Sequence, residues 1–296
     1  MTAEGKSGPR RIGHLGPPGT HGEEALRAAL GDQEDGVTLV ALDSNGEVVR
    51  AVERGDVEAG FVPIENSIEG AVTETLDALV HDAPGVQIVG EVVWPAHHCL
   101  IAAEEMPLEA IGIVTSHPQA LAQCAKFIAA NMPRAERLAQ VSTAGAVRHA
   151  IVNADGYAAI GSSIAAEIYG GVVLRSNIED VAGNKTRFVW LAKQPLDSPW
   201  AGNPAEAATK TSLVFSGFND TSPGGLVSIL SEFAERGVNM SKIESRPERT
   251  SLGHYLFFVD LDGAADDAPV ADAIEGVRSK AKTLRVLGSF NAFEAE

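Results

Sequence analysis

Apolar positions along the first two thirds of the chain alternate between two periods. Short apolar runs predict strands at 11–15, 37–42, 59–64, 86–93, 98–102, 111–115, 157–160 and 185–192, and a further strand ends at Val141. Between them, apolar residues recur at three- and four-residue spacing, as one face of a helix requires. That spacing predicts helices at 20–30, from Ser44 or Asn45 through Val52, at 69–80, 118–130 and 143–154, and from Ser162. Strands alternating with helices predict an α/β class with largely parallel sheets. Residues 195–208 carry no periodicity and are rich in Pro, Gly, Ala and Asp, so they read as a linker. Beyond them the order changes. Strands at 211–217, 238–245, 255–261 and 284–290 enclose helices at 223–236 and 271–281. This βαββαβ order is the ferredoxin-like split unit.

Composition narrows the function classes. The chain has 296 residues, with 23 Lys and Arg against 40 Asp and Glu, a net charge of −17. So acidic a protein is a poor polyanion binder, and nucleic acid is not expected as a partner. Phe 10, Trp 3 and Tyr 3 are too few for a base-stacking platform. No apolar run approaches the ~20 residues of a membrane helix, so no membrane partner is expected either. The polar, basic Met1–Arg11 segment does not read as a signal peptide. Two cysteines, Cys99 and Cys124, make no disulfide framework and suggest a reducing cytoplasm.

Four segments carry candidate chemistry. Gly16-Pro17-Pro18-Gly19-Thr20 joins a strand to a helix, where backbone N–H groups could bind an anion or where Thr20 simply caps the helix. Glu65, Asn66 and Ser67 end a strand, the usual ligand position in open α/β sheets, although Asn66 or Ser67 could equally cap a helix. Ser116-His117-Pro118-Gln119 also marks a strand-to-helix junction, with Gln123 one turn on from Gln119. His117 could serve as a general base. In Asn184-Lys185-Thr186-Arg187-Phe188, Arg187 can hold a carboxylate bidentately and Thr186 can donate a hydrogen bond. His97-His98-Cys99 has metal-ligand composition but lacks a second ligand pair at suitable spacing, so no metal is expected there. Neither a phosphate loop nor a nucleophile elbow is evident.

Taken in order, GPPGT, VPIENSIEGAVTETLDAL, SHPQALAQC and NKTRF, followed by a unit carrying GGLVSIL and ESRP, resemble the prephenate dehydratase family from Ile12 to Phe290. The last unit resembles an ACT domain. The resemblance implies a two-lobed, periplasmic-binding-protein-like catalytic domain over 10–194. Its first lobe would take about 10–93 and 176–194, and its second about 94–175. The ACT domain would cover 209–296. It implies cofactor-free decarboxylating dehydration of prephenate to phenylpyruvate, in a homodimer or homotetramer inhibited by phenylalanine. Arogenate dehydration, or amino-acid sensing without catalysis, are the alternatives. About ten residues precede the first strand, too few for the helical mutase domain of bifunctional relatives.

The resemblance also assigns roles. Thr186, Asn66, Ser116 and Gln123 would be catalytic. Thr20, Glu65, Ser67, Arg187 and Phe188 would bind substrate. Helix N-termini at Thr20, Ser67 and Pro118 would supply positive potential for the dianion. Gly224, Gly225, Leu226, Val227, Asn239, Met240, Glu244, Ser245 and Arg246 would bind phenylalanine at a subunit interface. One departure is His21, where the family often has an aromatic residue.

Overall fold

The computed structural model describes residues 10–196, 208–218, 223–249 and 252–294. Most of the predicted linker, 197–207, lies outside the described residues. The strands are β1 (Arg10–Leu15), β2 (Val37–Leu42), β3 (Ala59–Asn66), β4 (Gly70–Ala71), β5 (Gln87–Pro95), β6 (Cys99–Ala102), β7 (Ile113–Ser116), β8 (Glu136–Ala139), β9 (Tyr157–Gly161), β10 (Val172–Arg175), β11 (Lys185–Ala192), β12 (Ala208–Ser216), β13 (Met240–Pro247), β14 (Tyr255–Asp262) and β15 (Thr283–Glu294). The helices are α1 (His21–Leu30), α2 (Asn45–Arg54), α3 (Thr73–His81), α4 (Pro118–Gln123), α5 (Ala125–Asn131), α6 (Thr143–Asn153), α7 (Ser163–Tyr169), α8 (Gly225–Ala234) and α9 (Ala268–Lys280).

The described strands form two sheets. One runs β2-β1-β3-β11-β5-β15-β12-β14-β13, with β4 on β3; the other runs β10-β6-β9-β7-β8. Both sheets are mixed, which corrects the expectation of largely parallel pairing. The chain leaves the first sheet after β5, builds the second, and re-enters by β11, which lies antiparallel to both β3 and β5. In the second sheet, β6 pairs antiparallel with β9 and β10.

In the first two thirds of the chain, each sheet is covered on both faces, because each strand has two apolar sides. In the first lobe, Leu26 and Leu30 of α1 pack on Ile12, Phe61, Phe188 and Trp190. On the opposite face, Val48 and Val52 of α2 and Leu76 and Leu79 of α3 cover Val62, Ile64 and Val189. In the second lobe, Leu121 and Ile128 pack on one face, and Val147 and Ala150 on the other. Both cysteines are buried and unpaired, and burial pushes the Cys124 thiol up to about 12.

The C-terminal domain has the predicted βαββαβ order. Its own helices cover one face of its sheet, through Ile229, Phe233, Ile274 and Val277. The other face has no helix of its own. Val214, Leu256, Phe258, Leu287 and Phe290 instead join the α2–α3 core of the first lobe. Arg285 donates to the Leu79 carbonyl in the last turn of α3 and to the Ala83 and Val86 carbonyls in the loop that follows. Strand β15 completes the junction by pairing parallel with β5.

Candidate active site

The two segments that cross between the sheets are tied together. Ala96 N–H donates to Asn184 O at 2.8 Å, and Ile178 N–H donates to His98 O at 3.0 Å. The ends of β3, β11 and α4 converge at this crossing. A cavity of about 130 Å³ there is lined by His21, Asn66, His98, His117, Gln119, Gln123, Thr143, Asn184 and Thr186, among others. It adjoins a pocket of about 460 Å³ that shares Gln119, Gln123 and Asn184 and is also lined by Lys126.

In the ladder, Thr186 lies opposite Asn66. Asn66 Nδ2 donates to Thr186 Oγ1 at 2.9 Å and to Asn184 Oδ1 at 2.8 Å. Asn66 Oδ1 accepts from the N–H groups of Ile68 and Glu69, which fixes the amide orientation. Since Thr186 Oγ1 accepts from Asn66, its own hydrogen is directed elsewhere. The other side of the cavity holds a second amide. His98 Nε2 and Gln123 Oε1 are 2.8 Å apart. His98 is almost fully buried, and burial, reinforced by nearby His21, holds its pKa below the ordinary imidazole value. A neutral His98 with its proton on Nε2 donates to Gln123. Among the described residues, Gln123 Nε2 then has no partner.

Several residues expected at the site are engaged elsewhere. Thr20 caps α1, accepting from Glu23 N–H and donating to Leu15 O. Glu23 itself occupies this helix start, accepting from Gly19 N–H at 2.7 Å, so the turn is already filled by an internal carboxylate. Ser116 is fully buried and donates to Ile160 O at 2.6 Å. Ser67 accepts from Lys185 N–H and contacts Asn184, tying β3 to β11. No helix starts at Ser67, because α3 begins at Thr73. Phe188 stacks on Phe61 in the core, ring centroids 5.0 Å apart.

Arg187 and Glu65 leave the cavity altogether. Successive strand residues face opposite sides, so Arg187 points away when Thr186 points in. Its guanidinium bonds Glu65, Glu91 and Asp260. Burial alone would favour loss of its proton, but Asp260 and Glu91 outweigh it, and its pKa is raised. An anchor for a substrate carboxylate must therefore be sought elsewhere.

Residues missed by sequence reasoning line the cleft: His98, His21, Asn184 and Lys126. Asn184 was legible, since it stands at the entry to β11, two residues before Thr186. His98 and Lys126 reach the cleft through tertiary placement. Among the described residues, no group of His, Cys, Asp and Glu is arranged to hold a metal ion, and no helix is long and apolar enough to cross a membrane.

In the C-terminal domain, Gly224 has φ +87° just ahead of α8, a conformation that favours glycine. Gly225 begins that helix, Leu226 is partly buried and Val227 is exposed. Asn239 donates to Asp262 at 2.6 Å, and Met240 packs on the domain core. Ser245 is exposed and Glu244 half-buried on β13. Arg246 is committed to the first lobe, where Asp77 takes it at 2.7 and 3.1 Å.

Two α/β lobes meeting at a hydroxyl–amide cluster, joined to a βαββαβ module, define a two-domain enzyme with an attached regulatory unit. The family model for prephenate dehydratase matches residues 12–196, and that for the ACT domain matches residues 212–279. The chain is 36% identical to a prephenate dehydratase of Amycolatopsis methanolica, over 95% of this chain and 88% of that protein. It superposes on a prephenate dehydratase from Arthrobacter aurescens solved in complex with L-Phe, with TM-score 0.83 and 34% identity over 95% of this chain and 89% of that one. It also superposes on GqqA, described as a novel type of quorum quenching acylase, with TM-score 0.81 and 29% identity over 96% of this chain and 98% of that one. The chain belongs to the prephenate dehydratase family of hydro-lyases and carries a C-terminal ACT domain.

Proposed function

We propose that prephenate is aromatised in the cleft between the lobes, with Thr186 as hydrogen-bond donor to the departing hydroxyl. The carbon–carbon bond to the ring carboxylate breaks and releases carbon dioxide. Its electron pair enters the ring, and the carbon–oxygen bond opposite breaks. The departing hydroxide takes one proton and leaves as water, so prephenate and a proton give phenylpyruvate, carbon dioxide and water. Aromatisation supplies the driving force, and the enzyme must favour charge developing on the leaving oxygen. The observation that carries this reading is the orientation of Thr186, whose oxygen is occupied by Asn66 while its hydrogen remains to be donated. Threonine is too weak an acid to surrender its proton unaided, so it polarises the leaving group. Gln123, turned by His98, offers its free N–H₂ from the opposite side. Lys126, on the outer pocket wall, takes the anchoring role first given to Arg187.

Phenylalanine is the inhibitor this reading expects, bound at the ACT domain around Gly224–Val227 and Asn239–Met240. The relative from Arthrobacter aurescens was solved with L-Phe. The protein is expected to act as a cytoplasmic homodimer or homotetramer.

Incubating the purified chain with prephenate should yield phenylpyruvate, followed by absorbance, and the rate should fall when phenylalanine is added. Turnover of arogenate in preference to prephenate would reassign the substrate. Absence of any aromatic product, with or without hydrolysis of acyl amides, would overturn the catalytic reading.

A further inference from the structure

The strands that carry Asn66 and Thr186 present their neighbouring residues, Glu65 and Arg187, to the opposite face of the sheet. There they meet the ACT domain. Arg187 donates to Glu65 at 2.5 Å and to Asp260 of β14 at 2.8 Å, and also contacts Glu91. Lys210 of β12 donates to Glu91 at 2.7 Å. Lys242 of β13 lies 3.2 Å from Glu65, and Ser212 donates to Asp260. Glu91 is fully buried, and the side chains of Asp260 and Lys242 nearly so. Three cations thus offset three carboxylates at the junction of the two domains.

We propose that Lys242 and Asp260 are positioning residues of the dehydratase site: by holding Glu65 and Arg187 from the ACT domain, they set where Asn66 and Thr186 stand on the cleft face. The inference rests on the reading that Thr186 and Asn66 act on prephenate. Two observations favour positioning over mere cohesion. First, the β3–β11 ladder shifts register between Arg187 and Phe188. A bulge bends its strand and re-aims the residues beyond it, so the ties on Glu65 and Arg187 act on the two pairs, Arg187–Glu65 and Thr186–Asn66, that stand past it. Second, β13 is held to the catalytic domain at two points, Lys242 on Glu65 and Arg246 on Asp77. Any displacement of β13 therefore pulls on the residue next to Asn66. The groups proposed to act on prephenate lie in one domain, and charges of the other tie down the residues beside them.

The test compares the full-length wild type with Lys242→Met and Asp260→Asn, measuring kcat and KM for prephenate and the melting temperature. A misplaced donor weakens the transition state more than substrate binding, so kcat should fall by about tenfold or more with KM within about threefold. Lys242→Arg, which keeps the charge, should restore most of kcat. Because removing one partner of a buried set can unfold a protein, Lys242→Met/Glu65→Gln serves as the second variant, removing one cation and one anion together. It should fold and still show the low kcat. Variants that melt earlier yet keep the wild-type kcat would overturn the inference, as would a double variant of full activity. An inactive wild-type chain would instead overturn the catalytic reading and this inference with it.

Discussion

Thr186 and Arg187 are adjacent in sequence and act on opposite sides of one sheet. Period-two alternation forbids both from facing the same cavity. The bonds observed assign Thr186 to the cleft and Arg187 to the domain junction. Replacing Thr186 by Ala should lower kcat by about 10²–10⁴-fold and leave KM within a few-fold, the signature of a group used in the transition state. An unchanged kcat in a steady-state assay would remove Thr186 from the mechanism. His98 illustrates a second residue-scale effect. Both His98 and the buried His14 are held below the ordinary imidazole pKa, chiefly by burial. Unfolding frees them to bind protons at about pH 6.5, so the unfolded state gains protons first as pH falls. Their contribution to stability is complete above that value and is lost as pH falls toward the depressed folded values. The melting temperature should therefore begin to drop below about pH 6.5, before the carboxylates titrate, and His98→Gln should flatten part of that drop. A melting temperature constant from pH 7.5 to 5.5 would contradict this.

At the scale of elements, most helices and strands were visible as periodicity, and the exceptions have tertiary causes. The predicted 118–130 helix is two helices that meet at Cys124. The second has its own start because the Asp180 carboxylate accepts from the N–H groups of Lys126 and Phe127. A capping group some fifty residues away leaves no local signal. The predicted 69–80 helix begins later, at Thr73, because Gly70–Ala71 folds back onto β3. Strand β10 was not predicted, for Val172–Arg175 is short and follows a glycine pair. Strand β15 shows how closely two elements can be required to approach. A Cβ on Gly288 would lie 2.0 Å from the Ile88 carbonyl oxygen, a backbone atom that cannot step aside. Gly288→Ala should therefore force β15 from β5 and destabilise the protein by at least about 2 kcal/mol, toward the upper end of overpacking costs. A wild-type melting curve for this variant would show the β5–β15 contact to be looser than described.

On the scale of the whole molecule, the two domains are not independent. The uncovered face of the ACT sheet and the α2–α3 face of the first lobe share one core. Fully burying an apolar side chain is worth about 1.5–3 kcal/mol, whereas a whole domain is stable by about 5–15 kcal/mol. Several such side chains re-exposed together suffice to unfold the lobe. A chain ending at Leu196 should thus aggregate or melt well below the full-length protein, and its loss of activity would not by itself report on regulation. Circular dichroism of the fragment decides this, and a cooperative melt at the full-length temperature would refute the shared core. Truncation is accordingly a poor test of phenylalanine inhibition, and substitutions at Gly224–Val227 in the full chain are the better one.

What the sequence determined by itself was local and pairwise. Periodicity set the α/β class of the first two thirds and the βαββαβ unit, because burial of one face leaves its mark in every element. The order of motifs set the family and marked Thr186, Asn66 and Gln123 as candidates. Tertiary structure decided the rest. Thr20, Ser116 and Ser67 spend their hydroxyls on backbone partners, a choice that depends on which carbonyl or N–H lies beside them in space. Arg187 could be read as a carboxylate anchor, which it is, but its carboxylates come from β3, β5 and the ACT domain. Charge type is written in the sequence; the partner is chosen only when distant strands are brought to one face.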